Sequence, residues 1–244
     1  MNDELDQLLA NLRLRRLREL MPSALSSAVT TRLSYEGFLL PLLREEWRFQ
    51  QERALQYRID QAEMPEDWTL ESFPFALQPG VNAAAVRQLA ALDWVTEGQN
   101  IVLIGNTGVG KTGLAVGLLR KALHNGYRGR FVKAQDLFDE MYQSLAHHGT
   151  RKLVDSLAKL SVLVIDELGY LALKPEQQNI FFRLMAERYD KRRPTVITSN
   201  LDFDAWYTVL GQKNLVDALL GRLRHRCITL RIDGPSLRAP QTTA

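Results

Sequence analysis

The eight residues Gly105-Asn106-Thr107-Gly108-Val109-Gly110-Lys111-Thr112 constrain this chain more than any other segment. They fit G-x-x-x-x-G-K-[ST] at every position. They follow an apolar run at 101–104 and open a helical pattern from Gly113 to Leu123. Strand, loop and helix in that order are the context in which the motif is a phosphate cradle. Glycines let the loop curl so that backbone N–H groups converge on phosphate oxygens, and the helix N-terminus adds partial positive charge. Lys111 is placed to reach the β- and γ-phosphates, and Thr112 to offer its hydroxyl to Mg²⁺. The expected ligand is ATP with Mg²⁺, held from Gly105 to Thr112 and by Gly113. A glycine-rich turn with an incidental lysine is the bland alternative, and the complete motif in context disfavours it.

A second motif supports the first. Leu163-Val164-Ile165-Asp166-Glu167 is an apolar strand that ends in two acids. In an open α/β sheet, carboxylates at the C-terminal end of a strand stand where ligands bind. Asp166 is expected to hold Mg²⁺ and Glu167 to polarise the attacking water. Another apolar run, 194–198, ends in Ser199 and Asn200. Asn200 either positions the water or caps the next turn, and spacing alone does not choose.

The region around these motifs alternates short apolar runs (101–104, 130–133, 160–165, 195–198, 228–232) with helical patterns near 111–125, 135–146, 151–159 and 176–191. That rhythm implies a parallel sheet covered by helices on both faces. Upstream the pattern differs. Leucines at 5, 8, 9, 12, 14, 17 and 20 have helical spacing, which Pro22 is expected to end. A second helical stretch runs from about 35 to 61 and is crowded with charge in its far half. Residues 1–63 therefore read as a small all-helical domain, 64–80 as a linker punctuated by Pro65, Pro74, Pro79 and Gly80, and 81–244 as the nucleotide-binding domain.

No apolar run is long enough to span a membrane, and the polar N-terminus lacks the core of a signal peptide. The single cysteine, Cys227, excludes an internal disulfide and suits a reducing cytoplasm. The net charge is only +3, unevenly spread: residues 191–244 carry nine Lys and Arg against four acids. A basic C-terminal part is compatible with phosphate-rich partners without requiring them. Within it, Arg222, Arg224 and Arg226 fall in five residues. They could serve as a finger to a neighbour's γ-phosphate, as a basic helix end, or as a DNA-facing patch.

From about residue 69 to 238 the chain resembles the AAA+ ATPases of the DnaC/IstB group. The matching stretches are Trp68 to Phe75, Asn100 to Gly105, Leu163 to Tyr170, Glu187-Arg188-Tyr189, Thr198-Ser199-Asn200, Trp206, Leu219 to Leu223, and Gly234 to Arg238. Residues 33–58 are similar to the helical region of IstB proteins, so the likeness covers nearly the whole chain and leans to IstB over the helicase loader DnaC.

The resemblance implies a five-stranded parallel sheet with an N-terminal helical domain. It also implies an ATPase that self-assembles on duplex DNA, remodels it and assists a cognate transposase, in the bacterial cytoplasm near the nucleoid. By position, Asn200 becomes sensor 1, Arg222 the arginine finger with Arg224 as the alternative, and Arg238 a reduced sensor 2. Two departures stand out: Gly221 where the family commonly has Asp, and Leu237 where it commonly has Tyr. Arg151 and Lys152, in a region that faces the central channel of such ATPases, are expected DNA contacts. Lys133, Arg128 and Arg130 are grouped with them. Backbone contacts of that sort give salt-sensitive binding without sequence preference. A helicase loader is the nearest alternative. A small-molecule kinase would need an acceptor site, and a non-catalytic scaffold would not need Glu167.

Overall fold

The computed structural model describes residues 2–31, 33–169 and 171–238. The chain divides into two compact units, Met1–Tyr57 and Arg58–Ala244.

The first unit contains helices α1 (Asp3–Asn11), α2 (Arg15–Thr31) and most of α3 (Tyr35–Gln61). Asn2 caps α1 by accepting the Glu4 amide. The expected single helix over 4–20 is broken at 12–14, where Arg13 takes a left-handed φ of 58°. Pro22 does not end a helix; it lies inside α2, in its third turn. A proline there has no amide to offer the Arg18 carbonyl four residues back, so α2 continues to Thr31 with one backbone hydrogen bond missing. The start of α2 is completed from a distance. The carboxylate of Glu46, buried on α3, accepts the Leu17 amide at 2.8 Å and the Gln50 side chain at 2.9 Å. A negative group at a helix N-terminus satisfies an orphan donor and meets the positive end of the dipole. Leu9, Leu17, Met21 and Leu42 form the small core beneath it.

The second unit is the α/β domain that the alternating pattern predicts. Strands β1 (Asn100–Gly105), β2 (Gly129–Lys133), β3 (Val162–Asp166), β4 (Thr195–Ser199) and β5 (Cys227–Ile232) form one parallel sheet in the order β2-β3-β4-β1-β5. The helices are α4 (Ala83–Leu89), α5 (Asp93–Glu97), α6 (Lys111–His124), α7 (Ala134–Ala146), α8 (Thr150–Lys159), α9 (Pro175–Asp190), α10 (Trp206–Leu210) and α11 (Lys213–His225). Strand side chains alternate between two buried faces, which is why these runs are continuously apolar. Val102, Ile104, Leu163, Ile165 and Ile197 join the core built with α7, α8, α9 and α11. Ile101, Leu103, Val164 and Val196 are equally buried, and α6 packs against the sheet.

Residues 58–80 are not a loose connector. Arg58 donates to the Leu123 carbonyl at 3.0 Å, and the buried Ala62 accepts the Phe131 amide at 2.7 Å. Leu70 and Phe73 are buried, and Gly117 of α6 has no room for a Cβ because Leu70 stands 2.8 Å from where it would be. This segment belongs to the packing of the second unit. Among the described residues, no helix is long and apolar enough to cross a membrane.

Candidate nucleotide site

At the C-terminal edge of the sheet, the loop after β1, the turn after β3 and the end of β4 border one cleft of about 610 Å³. Thr107, Gly108, Gly110, Lys111, Thr112, Gly113, Glu167, Thr198, Asn200 and Arg238 all line it. The loop's geometry depends on its glycines at two points. Gly108 and Gly110 have φ of 84° and 95°, and a Cβ on either would collide, with Ser236 and with the Phe73 ring respectively. Val109 between them is buried and anchors the loop to the core. The Lys111 ammonium donates to the carbonyls of Gly105 at 2.8 Å and Asn106 at 2.7 Å. Partial burial lowers its pKa, against the pull of Asp166 and Glu167, which raise it.

Asp166 is almost wholly buried at the end of β3. Its Oδ1 and Oδ2 each accept from the Thr112 hydroxyl at 3.1 Å, and Oδ1 also accepts from the Thr198 hydroxyl at 2.5 Å. Burial pushes its carboxyl pKa up, opposed by those hydrogen bonds. The set suits Mg²⁺: a hydroxyl and a carboxylate, both hard oxygen donors, meet beside a phosphate cradle. Mg²⁺ is held by one or two protein oxygens, with phosphate and water completing its shell. Among the described residues there is no cluster of three or more His, Cys, Asp or Glu that could cage an ion alone.

Glu167 follows with φ 60°, a left-handed conformation uncommon for a side chain of this size. Its amide donates to the Thr198 hydroxyl at 2.9 Å, and the next amide, Leu168, donates to the Thr198 carbonyl at 2.9 Å. The turn is thereby stapled to β4 and aims the Glu167 side chain into the cleft. Asn200 faces it across Gly169; a Cβ on that glycine would stand 2.6 Å from Asn200 Oδ1. The C-terminal segment closes another side. Leu237 donates its amide to the Gly108 carbonyl at 2.8 Å, and Arg238 lines the cleft beside it. Gln78, fully buried, donates to the carbonyls of Val109 at 3.2 Å and Pro235 at 2.8 Å, joining loop and segment.

Other expected residues lie elsewhere. Arg222 is exposed in the last turn of α11 and borders a small crevice with Asn100, Arg188, Tyr189 and Thr195, at the opposite end of the sheet. Arg188 is buried there and ties α9 to the Leu157 carbonyl at 2.7 Å and to the Thr195 hydroxyl at 2.9 Å. Arg224 stacks on the Phe203 ring at 4.7 Å. Arg151 and Lys152 are exposed on the first turn of α8. Lys133, grouped with them by charge, ends β2 in register with Asp166 and pairs with Glu167 at 3.8 Å. Arg130 is taken up by Glu63 at 2.8 Å and by Glu140 at 3.0 Å, which corrects its grouping with free phosphate contacts. Three features carried no site role in the sequence reading: Thr198, the apolar wall of Trp68, Phe73, Pro74 and Leu77, and Leu237 opposite it. The wall residues lie some 30 to 45 positions before the loop they border, so local pattern gives no sign of them.

This sheet order, with a phosphate loop after β1 and an Asp-Glu pair after β3, defines a P-loop nucleotide-binding domain of the AAA+ type. Solved structures bear out the fold. The DnaC helicase loader aligns with a TM-score of 0.53 at 24% identity, over 62% of this chain and 88% of that one. Replication initiator DnaA bound to AMPPCP and single-stranded DNA aligns with a TM-score of 0.59 at 20% identity, over 71% and 52%.

Sequence relatives define the family more narrowly. The model of the IstB-like ATP binding proteins matches residues 7–244, and the chain belongs to that family. The ATP-binding protein of insertion sequence IS21 from Pseudomonas aeruginosa is 37% identical over 96% of this chain and 88% of its own length. That of insertion sequence IS5376 from Geobacillus stearothermophilus is 34% identical over 86% and 84%.

Proposed function

We propose that this protein binds and hydrolyses ATP, assembles with copies of itself on duplex DNA, and assists a cognate transposase. The observation that carries the hydrolytic part is the meeting of Lys111, Thr112, Asp166, Glu167, Thr198 and Asn200 at one edge of the sheet. In this reading Lys111 leaves the carbonyls of Gly105 and Asn106 for the β- and γ-phosphates, which also restores a counter-charge to its partly buried ammonium. Backbone N–H groups from Gly108 to Gly113 receive phosphate oxygens. Thr112 and Asp166 would hold Mg²⁺, which when bound neutralises phosphate charge. Glu167 and Asn200 orient the attacking water on the far side of the γ-phosphate. The apolar wall of Trp68, Phe73, Pro74 and Leu77 takes the base.

The assembly part rests on family membership and on Arg222. An arginine at the far end of the sheet from its own cleft suits service to a neighbour's cleft, where it would stabilise the charge of the transition state. Arg151 and Lys152 are the proposed DNA contacts. The test is size-exclusion chromatography with light scattering, with and without ATP and a DNA duplex, on wild type and Glu167→Gln. A large DNA-bound species that needs ATP and persists in Glu167→Gln supports the reading. A monomer under every condition that still hydrolyses ATP overturns the assembly part.

A further inference from the structure

The cleft contains one acid far from the strand ends. Glu66 lines it together with Trp68, Lys111 and Thr112. We infer that the Glu66 carboxylate reads the ribose of the bound nucleotide, accepting a hydrogen bond from its hydroxyls; this rests on the cleft being an ATP site.

The indole N–H of Trp68 donates to Glu66 Oε2. Atoms Cδ2, Cε2 and Cγ of the same indole come within 3.3–3.5 Å of where a Cβ on Gly113 would stand. Nε1 is bonded to Cε2. The carboxylate therefore lies one covalent bond and one hydrogen bond from ring atoms that rest on Gly113, the residue directly after Thr112. The first turn of a P-loop helix takes phosphate, and a carboxylate among phosphates would only repel them. Next to the phosphate chain comes the sugar, which is neutral and carries two O–H donors. A carboxylate accepting from a hydroxyl makes a charge-assisted bond, stronger than a neutral one. Its negative charge is not spent elsewhere: among the described residues no basic side chain forms an ion pair with Glu66.

The mount is rigid. The Trp68 carbonyl accepts from Arg120 Nε at 3.1 Å, Arg120 also pairs with Asp67, and Gly117 admits Leu70 closely. These contacts fix residues 67–70 to α6, whose N-terminus is the phosphate site. The indole bond occupies Oε2, and among the described residues no hydrogen bond is made to Oε1, which leaves it for a ribose hydroxyl. Such preorganisation turns a hydrogen bond into selectivity, because little freedom is lost when the ligand arrives.

The experiment measures displacement of an ATP labelled on its γ-phosphate by ATP, 2′-deoxy-ATP, 3′-deoxy-ATP and GTP, on wild type, Glu66→Ala and Trp68→Phe. Glu66 is exposed, so its truncation leaves the core intact. Wild type is expected to bind ATP about tenfold or more tighter than at least one deoxynucleotide, the worth of a hydrogen bond to a charged group. Glu66→Ala is expected to shrink that preference to within about twofold while still binding ATP, and Trp68→Phe to fall between. A preference for the ribonucleotide that survives in Glu66→Ala overturns the inference. So does a Glu66→Ala protein that loses only its discrimination between ATP and GTP, which would assign the carboxylate to the base. Wild type that binds no ATP at all would overturn the reading of the cleft itself.

Discussion

The Thr198 hydroxyl donates to Asp166 at 2.5 Å while accepting the Glu167 amide at 2.9 Å, so one side chain on β4 holds both acids that end β3. Thr198→Val keeps the shape and removes both bonds. A hydrogen bond to a charged group contributes about 1.5–3 kcal/mol, so turnover is expected to fall about tenfold to a hundredfold. ATP affinity should change less, because the loop that receives the phosphates is untouched. Steady-state kinetics and nucleotide titration on the same preparation check this; an affinity loss equal to the loss of turnover would mean that Thr198 shapes the whole cleft.

Asp166 gives a prediction about pH. Burial raises its pKa in the folded protein, so the folded state holds that proton more tightly than the unfolded chain does. Its contribution is therefore most favourable at acid pH and is lost as pH rises through the raised folded value. Asp166→Asn removes the charge and can keep a hydrogen-bonding partner for Thr112. Without nucleotide, the variant is expected to melt above wild type at neutral pH, with the gap narrowing as pH falls and wild-type Asp166 takes up its proton. Thermal melts across that range would show a constant gap if the charge were irrelevant. The variant should also lose turnover.

Much of this domain was legible because its signals are local. The phosphate loop, the acids after β3 and the alternation of buried strands with helices are patterns within a dozen residues. Arrangements made by distant partners were not legible. Glu46 completes the start of α2 from 29 positions away, and this is one reason a helix can begin at Arg15 and run through Pro22. Trp68 and Phe73 border the cleft because Gly113 and Gly110 leave room for their rings. The motif explained those glycines by phosphate alone and so hid their second role. Lys133 looked like a surface cation, and only strand register puts it beside Asp166 and Glu167.

Arg222 lies at the end of the sheet opposite its own cleft, so the proposed action in trans is testable by mixing. Lys111→Ala disables a subunit's own cleft and leaves its Arg222 intact; Arg222→Ala does the reverse. Each variant alone is expected to lose about a thousandfold or more of DNA-stimulated turnover. Mixed with DNA present, they should recover activity, because a cleft on one subunit meets the arginine of the other. No recovery, in oligomers shown by light scattering to be mixed, would return the finger role to Arg224 or to none.

Charge alone grouped Lys133 with Arg151 and Lys152, but their surroundings separate them. Arg151 and Lys152 are exposed on α8, and among the described residues Arg151 has only a loose ionic partner, Asp155 at 3.9 Å. Each is free to neutralise a phosphate, so Arg151→Ala and Lys152→Ala should each lower the slope of log affinity against log salt by about one. Lys133 faces Glu167 at 3.8 Å, with both side chains about half exposed. A pair of that kind contributes under about 1 kcal/mol. Lys133→Ala is therefore expected to leave the salt slope unchanged. It should raise DNA-free turnover by no more than about fivefold, as Glu167 is released toward the cleft. Fluorescence anisotropy on a labelled duplex at several salt concentrations, paired with phosphate release without DNA, separates the two roles. A reduced salt slope with unchanged basal turnover would place Lys133 on the DNA after all.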